Sequence, residues 1–114
     1  MDESYFEPDS ERFPVLSVLI GPHTGTIFTI SKPLTTIGRG EDRDIQFLDR
    51  AISRMHCEIQ YVNNTVVIRD TNSQNGIRVN GRDTYEQELR DGDQIDIGSI
   101  RLMIKIPEKE EKTT

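Results

Sequence analysis

A chain of 114 residues is the size of one hydrophobic core, which excludes a multidomain enzyme within it. With 33% hydrophobic and 30% charged residues and no Trp, the core has to be built from Ile, Val and Leu, and no stretch approaches the ~18 apolar residues of a membrane span. The formal charge of −6 is concentrated at the ends, −4 over residues 1–14 and −1 over 107–114; the −1 left over 15–106 comes from interspersed signs, which excludes a phosphate-tracking basic stripe and with it a nucleic-acid partner.

Residues 1–14 are acidic, hold Pro8 and Pro14 and show no periodicity, so they read as a flexible leader; without basic and apolar blocks they are no signal peptide, and the expected compartment is the cytoplasm, with no membrane partner. From Val15 onward, short β-branched runs alternate with Gly, Asn, Asp and Pro, the pattern of an all-β sandwich of mostly antiparallel strands. Candidate strands are Val15–Ile20, Thr26–Ile30, Thr35–Gly38, Ile45–Phe47, His56–Tyr61, Val66–Asp70, Ile77–Val79, Glu86–Leu89, Gln94–Ile97 and Arg101–Ile106. In the last two, apolar residues recur at a period of two, as half-buried strands require. Asn63-Asn64 reads as a turn between strands, and Asn80-Gly81 fits a type I′ hairpin turn. The segment Leu48–Met55 stands apart as a polar loop without alternation. Residues 107–114 read as a charged tail or a linker to a further domain.

Cys57 is the only cysteine, which rules out an internal disulfide, and no Cys/His spacing fits a zinc site; neither metal nor cofactor is expected. Three loops do carry chemistry when taken together. Gly38-Arg39-Gly40 presents a guanidinium, a rigid fork of donors, from a sharp bend. Ser53-Arg54 adds a hydroxyl and a second permanent cation, and Asn75-Gly76 adds an amide able to hold a peptide backbone. Each loop alone is an ordinary turn; the combination points to a phosphate held on a peptide. His56, at a strand start, reads as a brace between loops. An enzyme built on Ser53 or Cys57 with His56 as base is disfavoured: His56 and Cys57 are neighbours on a strand and face opposite ways, and Ser53 has no third partner.

The ordered set Gly38-Arg39, Asp44-Ile45, Ser53-Arg54-x-His56, Asn75-Gly76, Val79-Asn80-Gly81, Leu89, Asp91-Gly92-Asp93 and Gly98 resembles the forkhead-associated (FHA) domain over residues 15–106. The resemblance implies a sandwich of about eleven strands, one more than the pattern reveals, with phosphothreonine peptides bound by loops at one end. By the resemblance Arg39 and Ser53 contact the phosphate, Arg54 supports them, and Asn75 holds the ligand main chain. Gly38, His56 and Gly76 shape the loops. Two positions depart from the family pattern: Gln74 replaces the Ser or Thr that often precedes Asn75, leaving an amide to donate, and Ile77 replaces a common Thr. The nearby acids Glu41, Asp42 and Asp49 are expected to repel the wrong peptides or to select for basic flanks. The implied partner is a protein phosphorylated on threonine by a Ser/Thr kinase, or a phosphorylated segment of the same polypeptide; Thr113 and Thr114 are conceivable self-ligands, but they read more simply as ordinary terminal residues. The alternative is an FHA-fold scaffold making phosphate-independent contacts.

Overall fold

The computed structural model describes residues 12–108; most of the expected leader, the end of the expected tail and Thr113 and Thr114 lie outside the described residues. Eleven strands follow one another: β1 Val15–Ile20, β2 Ile27–Thr29, β3 Leu34–Gly38, β4 Ile45–Gln46, β5 Cys57–Val62, β6 Thr65–Asp70, β7 Ile77–Val79, β8 Arg82–Thr84, β9 Glu86–Leu89, β10 Gln94–Ile97 and β11 Ile100–Lys105. They form two sheets, one ordered β2-β1-β11-β10-β7-β8 and the other β4-β3-β5-β6-β9. Every pairing is antiparallel except β3 with β4. The chain is thus the all-β sandwich expected from its pattern, and ten of its strands fall where alternation placed them.

The eleventh, β8, escaped because Arg82-Asp83-Thr84 contains no apolar residue and lies exposed or half-exposed at a sheet edge. Its pairing with β7 follows from Asn80-Gly81, whose φ values of 53° and 83° make the tight turn that brings Arg82 opposite Val79.

Alternation explains the layering. In β11 the buried residues are Ile100, Leu102 and Ile104, and in β10 they are Ile95 and Ile97; across the gap β3, β5 and β6 contribute Ile37, Ile59 and Ile68. Each such side chain adds ~1.5–3 kcal/mol on full burial. Phe47 closes the core edge-on to Phe28, ring centroids 5.9 Å apart. Outward residues pair across strands: the Arg101 Nε donates to Asp96 at 2.8 Å and the Arg78 Nε to Asp83 at 3.1 Å. On the other sheet Arg69 donates to Glu58.

The polar segment between β4 and β5 is a loop pinned by one apolar side chain, Ile52, which is fully buried in the core. That anchor sets where Ser53 and Arg54 emerge.

Candidate functional site

Strands β3, β5, β6 and β7 deliver their loops to one end of the sandwich, where backbone hydrogen bonds lock them together. The Arg39 N–H donates to the Ser53 carbonyl at 3.0 Å, and the Gly40 N–H to the Arg54 carbonyl at 3.2 Å. This approach is close enough that a Cβ on Gly38 would lie 2.1 Å from the Arg54 carbonyl oxygen. The sequence thus places a residue without a side chain where two loops touch.

Arg39 itself is exposed, and its guanidinium is aimed from within: Nε donates to the Ile52 carbonyl at 2.9 Å. Of five guanidinium N–H groups this uses one, and the terminal nitrogens make no other hydrogen bond or ion pair among the described residues. Ser53 is oriented as well. Its Oγ accepts the Gln74 backbone N–H at 2.9 Å, so the hydroxyl proton remains available to an acceptor outside the fold. Arg54 is exposed, with no hydrogen bond or ion pair among the described residues; its charge is felt by Asp42, whose carboxyl is held low first by Arg43 and more weakly by Arg54.

Asn75 is exposed, and its Nδ2 donates to the Ala51 carbonyl at 2.9 Å, which ties the loop between β6 and β7 to the loop carrying Ser53. Its other amide hydrogen and the side-chain oxygen make no further hydrogen bond among the described residues. The Gln74 side chain is exposed, whereas its backbone N–H is the group that organises Ser53. Beyond Asn75 a groove of about 490 Å³ opens between the loops and the outer face of the six-stranded sheet, lined by Ala51, Ser99, Ile20, Arg78 and Arg101 among others.

His56 is fully buried and joins three segments. The Ser53 backbone N–H donates to Nδ1 at 2.9 Å; a backbone amide has only its proton to give, so Nδ1 carries none. The ring proton therefore sits on Nε2 and is donated to the Gly76 carbonyl at 2.8 Å. With both nitrogens engaged, His56 is a brace. We expect His56→Ala to strand the Ser53 N–H and the Gly76 carbonyl and to lower unfolding stability by roughly 2–5 kcal/mol, read as a shifted urea midpoint at unchanged slope.

Sequence reasoning missed two supports. The buried Asp70 carboxylate accepts the Ser73 N–H at 3.2 Å and the Ser73 hydroxyl, and Ser73 Oγ in turn accepts the Gly76 N–H at 2.9 Å. Asp49, singled out in the sequence only for its charge near the site, accepts the Ser99 hydroxyl at 2.5 Å and the Ala51 N–H at 2.9 Å. These bonds, Ser99 first, hold its carboxyl below the ordinary range. A short polar residue in a loop carries no local sign of such a partner. Among the described residues no group of His, Cys, Asp or Glu is placed to hold a metal ion.

A family model for the FHA domain matches residues 35–98. The glycogen accumulation regulator GarA of Mycobacterium tuberculosis is 36% identical over 89 residues, which cover 78% of this chain and 55% of that protein. The oxoglutarate dehydrogenase inhibitor of Corynebacterium efficiens is 37% identical over 98 residues, 82% of this chain and 69% of that protein. The chain thus spans between about half and two thirds of the length of these relatives. A solved structure from work on phosphothreonine-dependent FHA domain interactions superposes with a TM-score of 0.79 at 29% identity, over 85% of this chain and 99% of that one. The family match begins in β3 and ends beyond β10, so it takes in Arg39, Ser53 and Asn75 with every strand that carries them, and the chain belongs to the FHA domain family.

Proposed function

We propose that this domain reads phosphothreonine, in a partner protein or in its own polypeptide, as the recognition step of phosphorylation-dependent signalling. One observation carries the reading: Arg39 is fixed at Nε while its terminal nitrogens have no partner among the described residues, beside a Ser53 hydroxyl whose oxygen already accepts the Gln74 N–H. Such a pair is organised before ligand arrives and offers guanidinium and hydroxyl donors, which suits a phosphate carrying about −1.5 to −2 charges. Arg54 adds a second cation, Gln74 an amide, and Asn75 holds the peptide main chain, with Gly38, His56 and Gly76 keeping the loops in register. The groove beyond Asn75 gives the flanking peptide residues a place to lie.

The module occupies residues 15–106, and the charged 107–114 stretch is either a tail or a linker to a further domain. Its partner is a protein phosphorylated by a Ser/Thr kinase in the cytoplasm, and its role is binding without catalysis. The Cys57 thiol is 1% exposed and burial pushes its pKa up, which removes the thiolate a nucleophile needs, while both His56 nitrogens are taken.

Calorimetric titration of one degenerate peptide pool in phosphothreonine, phosphoserine and unphosphorylated forms tests the reading. Saturable binding confined to the phosphothreonine pool is expected. Equal binding of all three would replace the phosphate site with phosphate-independent contacts.

A further inference from the structure

Asp49 lies at the entrance to the loop that carries Ser53. Its backbone carbonyl accepts the Ile52 N–H at 2.9 Å and its Oδ1 accepts the Ala51 N–H at 2.9 Å, which closes a tight turn. Its Oδ2 reaches across the molecule to the two-residue connection between β10 and β11, accepting the Ser99 N–H at 3.1 Å and the Ser99 hydroxyl at 2.5 Å. One carboxylate therefore holds two loops fifty residues apart in sequence.

The contact is tight from the other side as well. Gly98 has φ +58°, and a Cβ there would lie 2.7 Å from Ile52 Cγ1 and 3.1 Å from Asp49 Oδ2, so only glycine lets this connection press against the loop. What the loop then presents is two carbonyls. That of Ile52 receives the Arg39 Nε, and that of Ala51 receives the Asn75 Nδ2.

We propose that Asp49 is a positioning residue of the phosphate site: by clamping the Ser53 loop to Ser99 it fixes the carbonyls that aim Arg39 and Asn75, and so sets phosphothreonine-peptide affinity without touching the ligand. This rests on the phosphothreonine reading above. The physical content is preorganisation: a guanidinium whose anchor wanders must be ordered on binding, and that cost appears as lost affinity.

The test is calorimetry on the full chain with a phosphothreonine peptide bound by wild type, comparing Asp49→Ala, Asp49→Asn, Ser99→Ala, the double variant Asp49→Ala with Ser99→Ala, and Val66→Ala. Asp49→Ala is expected to weaken binding by about tenfold or more. Asp49→Asn keeps an acceptor for Ala51 and can bond the Ser99 hydroxyl oxygen, so it should recover part of the loss. The double variant should be no weaker than Asp49→Ala, because the partners act through one contact. Val66 is a core residue away from the loop, and Val66→Ala should lower the melting temperature with affinity intact.

Wild-type affinity in Asp49→Ala, or tighter binding of acidic-flanked peptides as a ligand-facing charge would give, overturns the proposal. So does an equal loss in Val66→Ala at matched destabilisation. If Asp49→Ala does not fold, Asp49→Asn and Ser99→Ala decide by the same criterion, undiminished affinity in both counting against it. Failure of wild type to bind any phosphothreonine peptide removes the underlying reading as well, which separates the two failures.

Discussion

Arg39→Ala is expected to weaken phosphothreonine-peptide binding by at least about a hundredfold while leaving the fold intact, because each charge-assisted hydrogen bond to phosphate contributes ~1.5–3 kcal/mol and a guanidinium makes two in parallel. The loss should be confined to binding. Arg39 is exposed, its backbone bond to Ser53 does not depend on the side chain, and among the described residues the only internal bond removed is the one from Nε to Ile52. Arg39→Lys should recover little, since an ammonium cannot hold the Ile52 carbonyl and also present a fork to the phosphate. Calorimetry with the phosphothreonine peptide, beside a thermal melt, reads both effects. Unchanged affinity in Arg39→Ala would place the phosphate elsewhere, with Arg54 an exposed cation of the neighbouring loop that has no partner among the described residues.

How much of this was legible beforehand depends on whether a residue's role is local. The period-two pattern of β10 and β11 reports directly which side chains are buried, because burial on one sheet face is a property of a few consecutive residues. Strand β8 has no apolar side chain to report, and its existence rests on the Asn80-Gly81 turn that precedes it. Strand β4 was visible as a strand but its parallel pairing to β3 was not, since direction is set by how the chain between Gly38 and Ile45 doubles back.

The site divides in the same way. Arg39, Ser53, Arg54 and Asn75 could be singled out as candidates because their chemistry and spacing follow a family pattern. The groups that hold them could not. Ser99 and Asp49 are fifty residues apart, and Asp70 with Ser73 looks like any polar turn; their roles exist only once the sheets have brought the loops together. Asp49 shows what geometry adds to a reading of charge. In sequence it is an acid near a phosphate site, and in the fold its oxygens are turned toward Ala51 and Ser99.

Gly38→Ala is expected to be the most destabilising single-methyl change in the molecule and to remove binding with it. Gly38 does not owe its identity to an unusual backbone angle; the constraint is space. A Cβ would lie 2.1 Å from the Arg54 carbonyl oxygen, 2.8 Å from its carbon and 3.0 Å from the Ser53 oxygen, all backbone atoms that cannot rotate aside. The loop between β4 and β5 must then retreat, which stretches the bonds from the Arg39 and Gly40 amides to the Ser53 and Arg54 carbonyls. Overpacking costs ~1–3 kcal/mol and each buried backbone group left unpaired ~1–3 kcal/mol more, so a loss of roughly 3–5 kcal/mol is expected, a large part of the 5–15 kcal/mol that holds a typical domain. Because the retreating segment carries Ser53 and Arg54 away from Arg39, phosphothreonine binding should fall even at temperatures where the variant is fully folded. Gly81→Ala is the matching control: with φ +83° and nothing within 4 Å of its Cβ, it bears only a conformational cost of about 1 kcal/mol and should bind peptide normally. Urea unfolding and calorimetry on the two variants separate strain in a distant hairpin from loss of the close approach on which the site depends, and a Gly38→Ala protein as stable as wild type would show that the two loops have room to part.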